Sequence, residues 1–265
     1  GEGSGKGGSR ARGDILALRM GRIAVLYLPF GWKAHVARAS AVPAGVYGAS
    51  SAPVDLEWCD RVRSMVKMGV LKGAQYASVE AFFWALGLPW RIDPMSHLVL
   101  GPWKVIFEAR RRGRPTWLEL QGLWEASAGG TGGPMHAARV ALDWAATYGS
   151  LDEWGGPRGR MVDPMFQPEA GWRDYLLGAV EAKQLAELAR KRTDFAGAAR
   201  GLDGWAAGRV KARLALSPQR AGALRSVQVG NTVQGRTVGR WTGEESKCPH
   251  CGGDGSIEHR FWLCP

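Results

Sequence analysis

Three of the four cysteines lie within the last eighteen residues, and this clustering limits the fold more sharply than any other feature of the chain. The tail reads Cys248-Pro249-His250-Cys251, then seven residues to His259, then four more to Cys264. A disulfide framework would spread its cysteines along the chain. A Cys-x-x-Cys pair followed by His and Cys is instead a metal-binding pattern suited to a reducing compartment. Zinc takes four tetrahedral ligands, and soft thiolates with one imidazole suit it. The tail is therefore expected to hold one structural Zn2+ through Cys248, Cys251, His259 and Cys264. Four protein ligands leave no open coordination position, which excludes a catalytic role for such an ion. His250 is a rival ligand, but inside the Cys-x-x-Cys turn its ring would point outward, so His259 is preferred. Gly252, Gly253 and Gly255 permit the turn that follows. His259 and Cys264 stand about one helical turn apart, and Phe261 and Trp262 supply a small apolar core. Structural zinc contributes roughly 10–16 kcal/mol of apparent binding free energy in finger peptides, so the tail is expected to be disordered without metal. Cys59 lies far from this cluster in a helical pattern and reads as a buried small apolar residue.

The chain has 265 residues, enough for one large domain or two small ones. Lys and Arg number 35 against 24 Asp and Glu, a formal charge of +11, which makes a polyanion, nucleic acid first, the leading class of partner. The cations concentrate toward the C-terminus. Between Lys183 and Arg240 only Glu187, Asp194 and Asp203 oppose them. Arg209, Lys211, Arg213, Arg220, Arg225, Arg236 and Arg240 are the candidate phosphate contacts. For Arg190 to Arg192 a solvated helix face is an equal reading. No apolar run reaches the roughly 18 residues a membrane span needs, and the first residues lack the apolar core of a signal peptide. An intracellular protein of nucleus or cytoplasm, with no membrane partner, is expected. Residue 1 is Gly and the sequence stops one residue after its last cysteine, which suggests a piece of a longer polypeptide or an imperfect gene boundary.

Apolar spacing predicts a mainly α protein: an irregular helical body with a small C-terminal zinc-binding module. Residues 1–13 read as a flexible basic leader, 14–149 as the helical body, 150–171 as a linker or loop, 172–241 as a helix plus basic connector, and 242–265 as the zinc-binding module. Within the body, Arg22 to Phe30 reads as a strand or a buried helix segment. Trp32 to Tyr47 is helical, with Pro43 kinking or restarting it. Val54 to Leu71 is a basic amphipathic helix with Arg61, Arg63 and Lys67 interleaved among its apolar residues. Ser78 caps a short helix ending near Gly87. Asp93-Pro94 opens a helix that ends in Arg110-Arg111-Arg112 and stops at Gly113, its cations complementing the helix dipole. Pro115 to Ala128, Pro134 to Tyr148 and Trp172 to Ala199 are further helices. Gly201 to Leu216 holds room for one more, and Leu224 to Trp241 looks extended. The thirteen tryptophans mostly fall at apolar helical positions, so core packing is their default role, with base stacking a minority alternative.

The tail's Cys-Pro-His-Cys and Ile257-Glu258-His259-Arg260-Phe261-Trp262-Leu263-Cys264-Pro265 resemble the zinc-binding module behind reverse transcriptases of non-LTR retrotransposons. In that family an acidic residue precedes the histidine, an aromatic pair follows, and Cys-Pro closes the motif. Glu258, His259, Phe261, Trp262, Cys264 and Pro265 match in order. Upstream, Val46-Tyr47-Gly48-Ala49 looks like the Tyr-Gly-Ala segment that often follows the polymerase palm and thumb, and Leu224 to Trp241 looks like the basic stretch before the module. The resemblance covers about the last forty residues well and the rest loosely. One departure matters: reverse transcriptases carry an aromatic-x-Asp-Asp motif that holds two metal ions, and this chain contains no Asp-Asp pair.

The resemblance therefore implies a nucleic-acid-binding C-terminal region, itself not an enzyme, of a protein whose polymerase site lies elsewhere. RNA or DNA, and the polymerase portion of the same polyprotein, are the implied partners. A zinc-stabilised protein-interaction domain is the alternative. No P-loop or Rossmann fingerprint is present. His35, His97 and His136 stand alone and read as packed or surface residues. Asp143, Asp152, Glu153 and Asp163 single out no metal pair and read as solvated carboxylates.

Overall fold

In a computed structural model of the chain, the residues described are 4–51, 56–71, 77–86, 92–145, 148–155, 169–200, 218–228, 247–248 and 251–253. The protein is mainly α, as the apolar spacing predicts. Its contacts divide it into two units. The first comprises residues 1–72 and 88–184, the second 73–87 and 185–265. This division falls between Gln184 and Leu185, whereas composition placed the boundary at 150–171.

The first unit starts with helix α1, Ser4–Val25. It begins inside the segment read as a flexible leader, and residues 4–13 are helical. Packing supplies the reason, because the helix propensity of a glycine-rich run is poor. Gly13 lies against Trp58, and Leu16, Met20 and Ile23 repeat at helical spacing and are buried. The chain returns along α1 through helix α2, Phe30–Val36, a π-helical turn over Ala37–Ala41, and helix α3, Val42–Val46. Arg19 donates to the Ser40 carbonyl at 2.6 Å and Lys33 donates to the Ala24 carbonyl at 2.7 Å, so the two limbs run antiparallel. The π turn precedes Pro43, which has no N–H to give the helical ladder, and local widening is one way a helix accommodates that.

The segment Arg22 to Phe30 is corrected by this arrangement. It is not a strand, and within it only Ile23 is buried. It forms the end of α1 and the hairpin tip, where Val25, Leu26, Tyr27 and Leu28 are exposed, Tyr27 fully so. Helix α4, Leu56–Val70, lies parallel to α1. Trp58 meets Gly13 near one end and Gly69 meets Met20 near the other. A Cβ on Gly69 would stand 2.9 Å from the Met20 carbonyl oxygen, so only glycine permits this approach. Trp58, Cys59, Val62, Val66 and Val70 form the buried stripe of α4. Two of its three interleaved cations, Arg63 and Lys67, are buried as well.

Helix α5, Val79–Ala85, belongs to the second unit and is taken up below. Helix α6, Pro94–Arg111, is capped by Asp93, whose carboxylate accepts from the Met95 N–H at 3.0 Å. Helix α7, Trp117–Ala126, opens with a reciprocal capping box between Thr116 and Glu119. Helix α8, Pro134–Trp144, packs on α6. A two-stranded antiparallel hairpin follows, β1 (Tyr148–Gly149) paired with β2 (Trp154–Gly155). Trp154 is wholly buried, so the hairpin is part of the core.

Around Trp154 sits an aromatic cluster. Trp103 approaches it edge-on at 4.5 Å between ring centroids, and Trp124, Phe107, Trp172 and Tyr175 continue the packing. Trp172 and Tyr175 lie on helix α9, Glu169–Lys191. The tryptophans of this cluster are core residues, which agrees with the default reading. Cys59 is buried too, with its thiol 3.9 Å from the Met95 sulfur. No helix among the described residues is long and apolar enough to cross a membrane.

In the second unit, Ser78 caps α5 by accepting from the Ala81 N–H at 3.3 Å. Phe82 and Phe83 are buried edge to face at 4.9 Å. The last turn of α9 carries Glu187 with Arg190 at 2.8 Å and Lys191 at 3.1 Å. A 3-10 turn over Thr193–Arg200 follows it. Helix α10, Pro218–Gln228, packs against α5. It includes Leu224 to Gln228, the start of a stretch read as extended, so that reading is corrected over these residues. Contact with α5 favours the helix there over the β propensity of the neighbouring residues. Gly201 to Leu216 and the remainder of that stretch lie outside the described residues.

Candidate metal centre

Cys248 and Cys251 sit on one tight turn. The Cys248 N–H donates to the Gly253 carbonyl at 2.7 Å, and the Gly252 N–H donates back to the Cys248 carbonyl at 2.9 Å. Gly252 has φ +73°, a left-handed conformation that a side chain would strain. The glycine thus folds the chain back just after the second cysteine, as the run of glycines predicts. Cys248 is buried and Cys251 is exposed, and neither is in a disulfide.

The donor chemistry of this turn fits half a zinc site. Two thiols three residues apart, carried by a loop closed through its own backbone, are what a Cys-x-x-Cys knuckle requires. A bound cation would lower the pKa of both thiols and hold them as thiolates. The other two expected ligands, His259 and Cys264, lie outside the described residues, as does the rival His250. Among the described residues no group of three or more His, Cys, Asp or Glu side chains comes together to hold a metal ion.

Of the candidate phosphate contacts, Arg220 and Arg225 are described. Both lie on α10. Arg220 is exposed and Arg225 is half-buried. Burial pulls the Arg225 guanidinium below its ordinary pKa, so Arg220 is the more accessible cation. Arg209, Lys211, Arg213, Arg236 and Arg240 lie outside the described residues. His35 is exposed, and the His136 ring lies 3.3 Å from the Ser127 carbonyl oxygen. Asp143 and Glu153 are exposed. Asp163 is outside the described residues.

Compared with protein-family models, with curated proteins and with solved structures, the chain matches none of them.

Proposed function

We propose that this chain is a nucleic-acid-binding, zinc-stabilised region of a retroelement reverse transcriptase-like protein, with the polymerase chemistry carried elsewhere. The observation that carries the reading is the backbone-closed Cys248–Cys251 turn with its left-handed Gly252. It supports a metal knuckle in the tail whose sequence resembles that family's module. Cys248, Cys251, His259 and Cys264 would hold one Zn2+. The bound ion supplies a cross-link that orders the tail, and no reacting group. The net charge of +11 and the cations of the connector supply attraction to phosphates.

The test is zinc content and oligonucleotide binding measured together, on the full chain and on the Cys248→Ser, Cys251→Ser variant. The expected result is about one zinc per chain, lost in the variant, with RNA or DNA affinity that falls steeply as salt rises. No zinc in the parent chain removes the metal centre. Zinc without salt-dependent binding removes the nucleic-acid reading.

The alternative is a zinc-stabilised protein-interaction domain. One observation favours it: the hairpin tip exposes Val25, Leu26, Tyr27, Leu28 and Trp32 together, and contiguous apolar surface marks contact sites. The buried tryptophans of the aromatic cluster do not serve such a surface.

A further inference from the structure

The turn between α6 and α7 carries four arginines in five residues, Arg110, Arg111, Arg112 and Arg114, with no Asp or Glu between Glu108 and Glu119. Arg111, Arg112 and Arg114 are exposed. A helix C-terminus carries a partial charge of roughly −0.5, which is less than the combined charge of Arg112 and Arg114. The two bordering carboxylates are turned to local tasks. Glu108 lies 3.8 Å from Lys104, one turn back along α6. Glu119 accepts from the Thr116 N–H at 2.6 Å and the Thr116 hydroxyl at 2.8 Å, and these bonds hold its pKa below the ordinary value.

The turn is also pre-shaped. The Gly113 N–H donates to the Arg110 carbonyl at 2.9 Å with φ +70°, which ends α6, and the capping box starts α7 three residues later. The Arg110 guanidinium lies 4.7 Å from the centroid of the Trp117 ring, which fixes the inner end of the cluster. A rigid loop that presents guanidinium groups outward loses little entropy on meeting an anion. The exclusive use of arginine suits planar, two-point contact with phosphate.

We infer that the α6–α7 turn is a second nucleic-acid contact, in which Arg112 and Arg114, with Arg111 beside them, grip the phosphates of a single strand. This rests on the nucleic-acid reading above but uses residues that belong to neither the zinc tail nor its connector. The same chemistry would meet the phosphates of an anionic bilayer, and the test separates the two.

The experiment titrates the full chain, Arg112→Gln/Arg114→Gln and Arg112→Lys/Arg114→Lys against fluorescent single-stranded RNA and DNA at several salt concentrations, and against phosphatidylserine vesicles. Each single-strand phosphate contact contributes about 0.7 to the slope of log affinity on log salt. The glutamine variant is expected to lose about 1.4 from that slope and about tenfold in affinity near 0.1 M salt. The lysine variant keeps the slope, and both variants keep the parent's melting temperature and zinc content. Unchanged slope and affinity in the glutamine variant overturn the inference while leaving the nucleic-acid reading intact. An equal loss of slope in the lysine variant overturns it too, because the salt dependence would not follow charge. Loss of vesicle binding with oligonucleotide binding unchanged assigns the turn to a bilayer and overturns it. No oligonucleotide binding by the parent chain overturns both readings.

Discussion

Arg63 and Asp93 form a buried two-point ion pair, with Nε to Oδ1 at 2.9 Å and Nη2 to Oδ2 at 3.4 Å, across thirty residues of sequence. Asp93 is wholly buried and Arg63 nearly so. The same carboxylate caps α6 and accepts from the Gln184 side chain at 3.4 Å, so one acid ties α4, α6 and α9 together. Removing one partner of such a pair strands a buried charge, at a cost of about 3–5 kcal/mol. Arg63→Met is expected to lose that much in urea unfolding. Arg63→Met/Asp93→Asn is expected to recover most of it, because asparagine still caps the helix and no charge is left alone. A loss below about 1 kcal/mol in Arg63→Met would show that the pair contributes little.

Glu187 gives a pH-dependent prediction. Hydrogen bonds from Arg190 and Lys191, with the charges of both, hold its pKa at about 2, below the ordinary 4.5. The folded-state pKa is depressed, so the stabilisation is fully present above 4.5 and is lost as pH falls through about 2. The carboxyl carbon chemical shift of Glu187 should titrate near 2 rather than 4.5, and the last turn of α9 should loosen in step. Titration at the ordinary value would mean that the two cations do not hold it in solution.

Two glycines on the α1–α4 pair predict opposite signs. A Cβ on Gly69 would meet the Met20 side chain at 2.5 Å and its carbonyl oxygen at 2.9 Å, and backbone cannot easily yield. Gly69→Ala should destabilise by about 1–3 kcal/mol. Gly21 is helical and exposed with nothing within 4 Å of its would-be Cβ. Gly21→Ala should stabilise by about 0.5–1 kcal/mol through helix propensity. Thermal melts of the two variants decide both; equal effects would remove the close helix approach.

Trp154 tests whether the hairpin belongs to the core. Its ring contacts Trp103, Phe107 and Tyr175 at centroid distances of 4.5, 6.4 and 5.7 Å. Trp154→Ala should cost about 3–5 kcal/mol, read by denaturant unfolding. A linker position would tolerate the change with no measurable loss.

Much of the helical body was legible along the chain. Asp93-Pro94 and Ser78 are caps whose chemistry lies within three residues, and each starts a helix as the sequence predicts, while the Thr116–Glu119 capping box opens the helix expected over Pro115 to Ala128. The glycines after Cys251 likewise announce their turn, because a left-handed residue is needed where the backbone folds back. The misreadings fall where distant contact decides. Residues 4–13 look like a leader, yet they continue the helix whose Gly13 meets Trp58 of α4. Arg22 to Phe30 looks buried because apolar residues usually are, yet the hairpin of α1 and α2 holds its tip outward. Arg63 is a cation in an amphipathic pattern, and its buried partner Asp93 cannot be inferred from the sequence around it.

By itself the sequence determined the α class, the capped helix starts at Ser78 and Asp93, the Cys-x-x-Cys turn and the excess of positive charge, because each depends on residue types within a few positions of one another. Only the tertiary structure decided that Asp93 meets Arg63, that Trp154 fills the aromatic core and that Val25 to Leu28 face solvent. Burial depends on which surfaces meet across tens of residues, and no local pattern encodes that meeting.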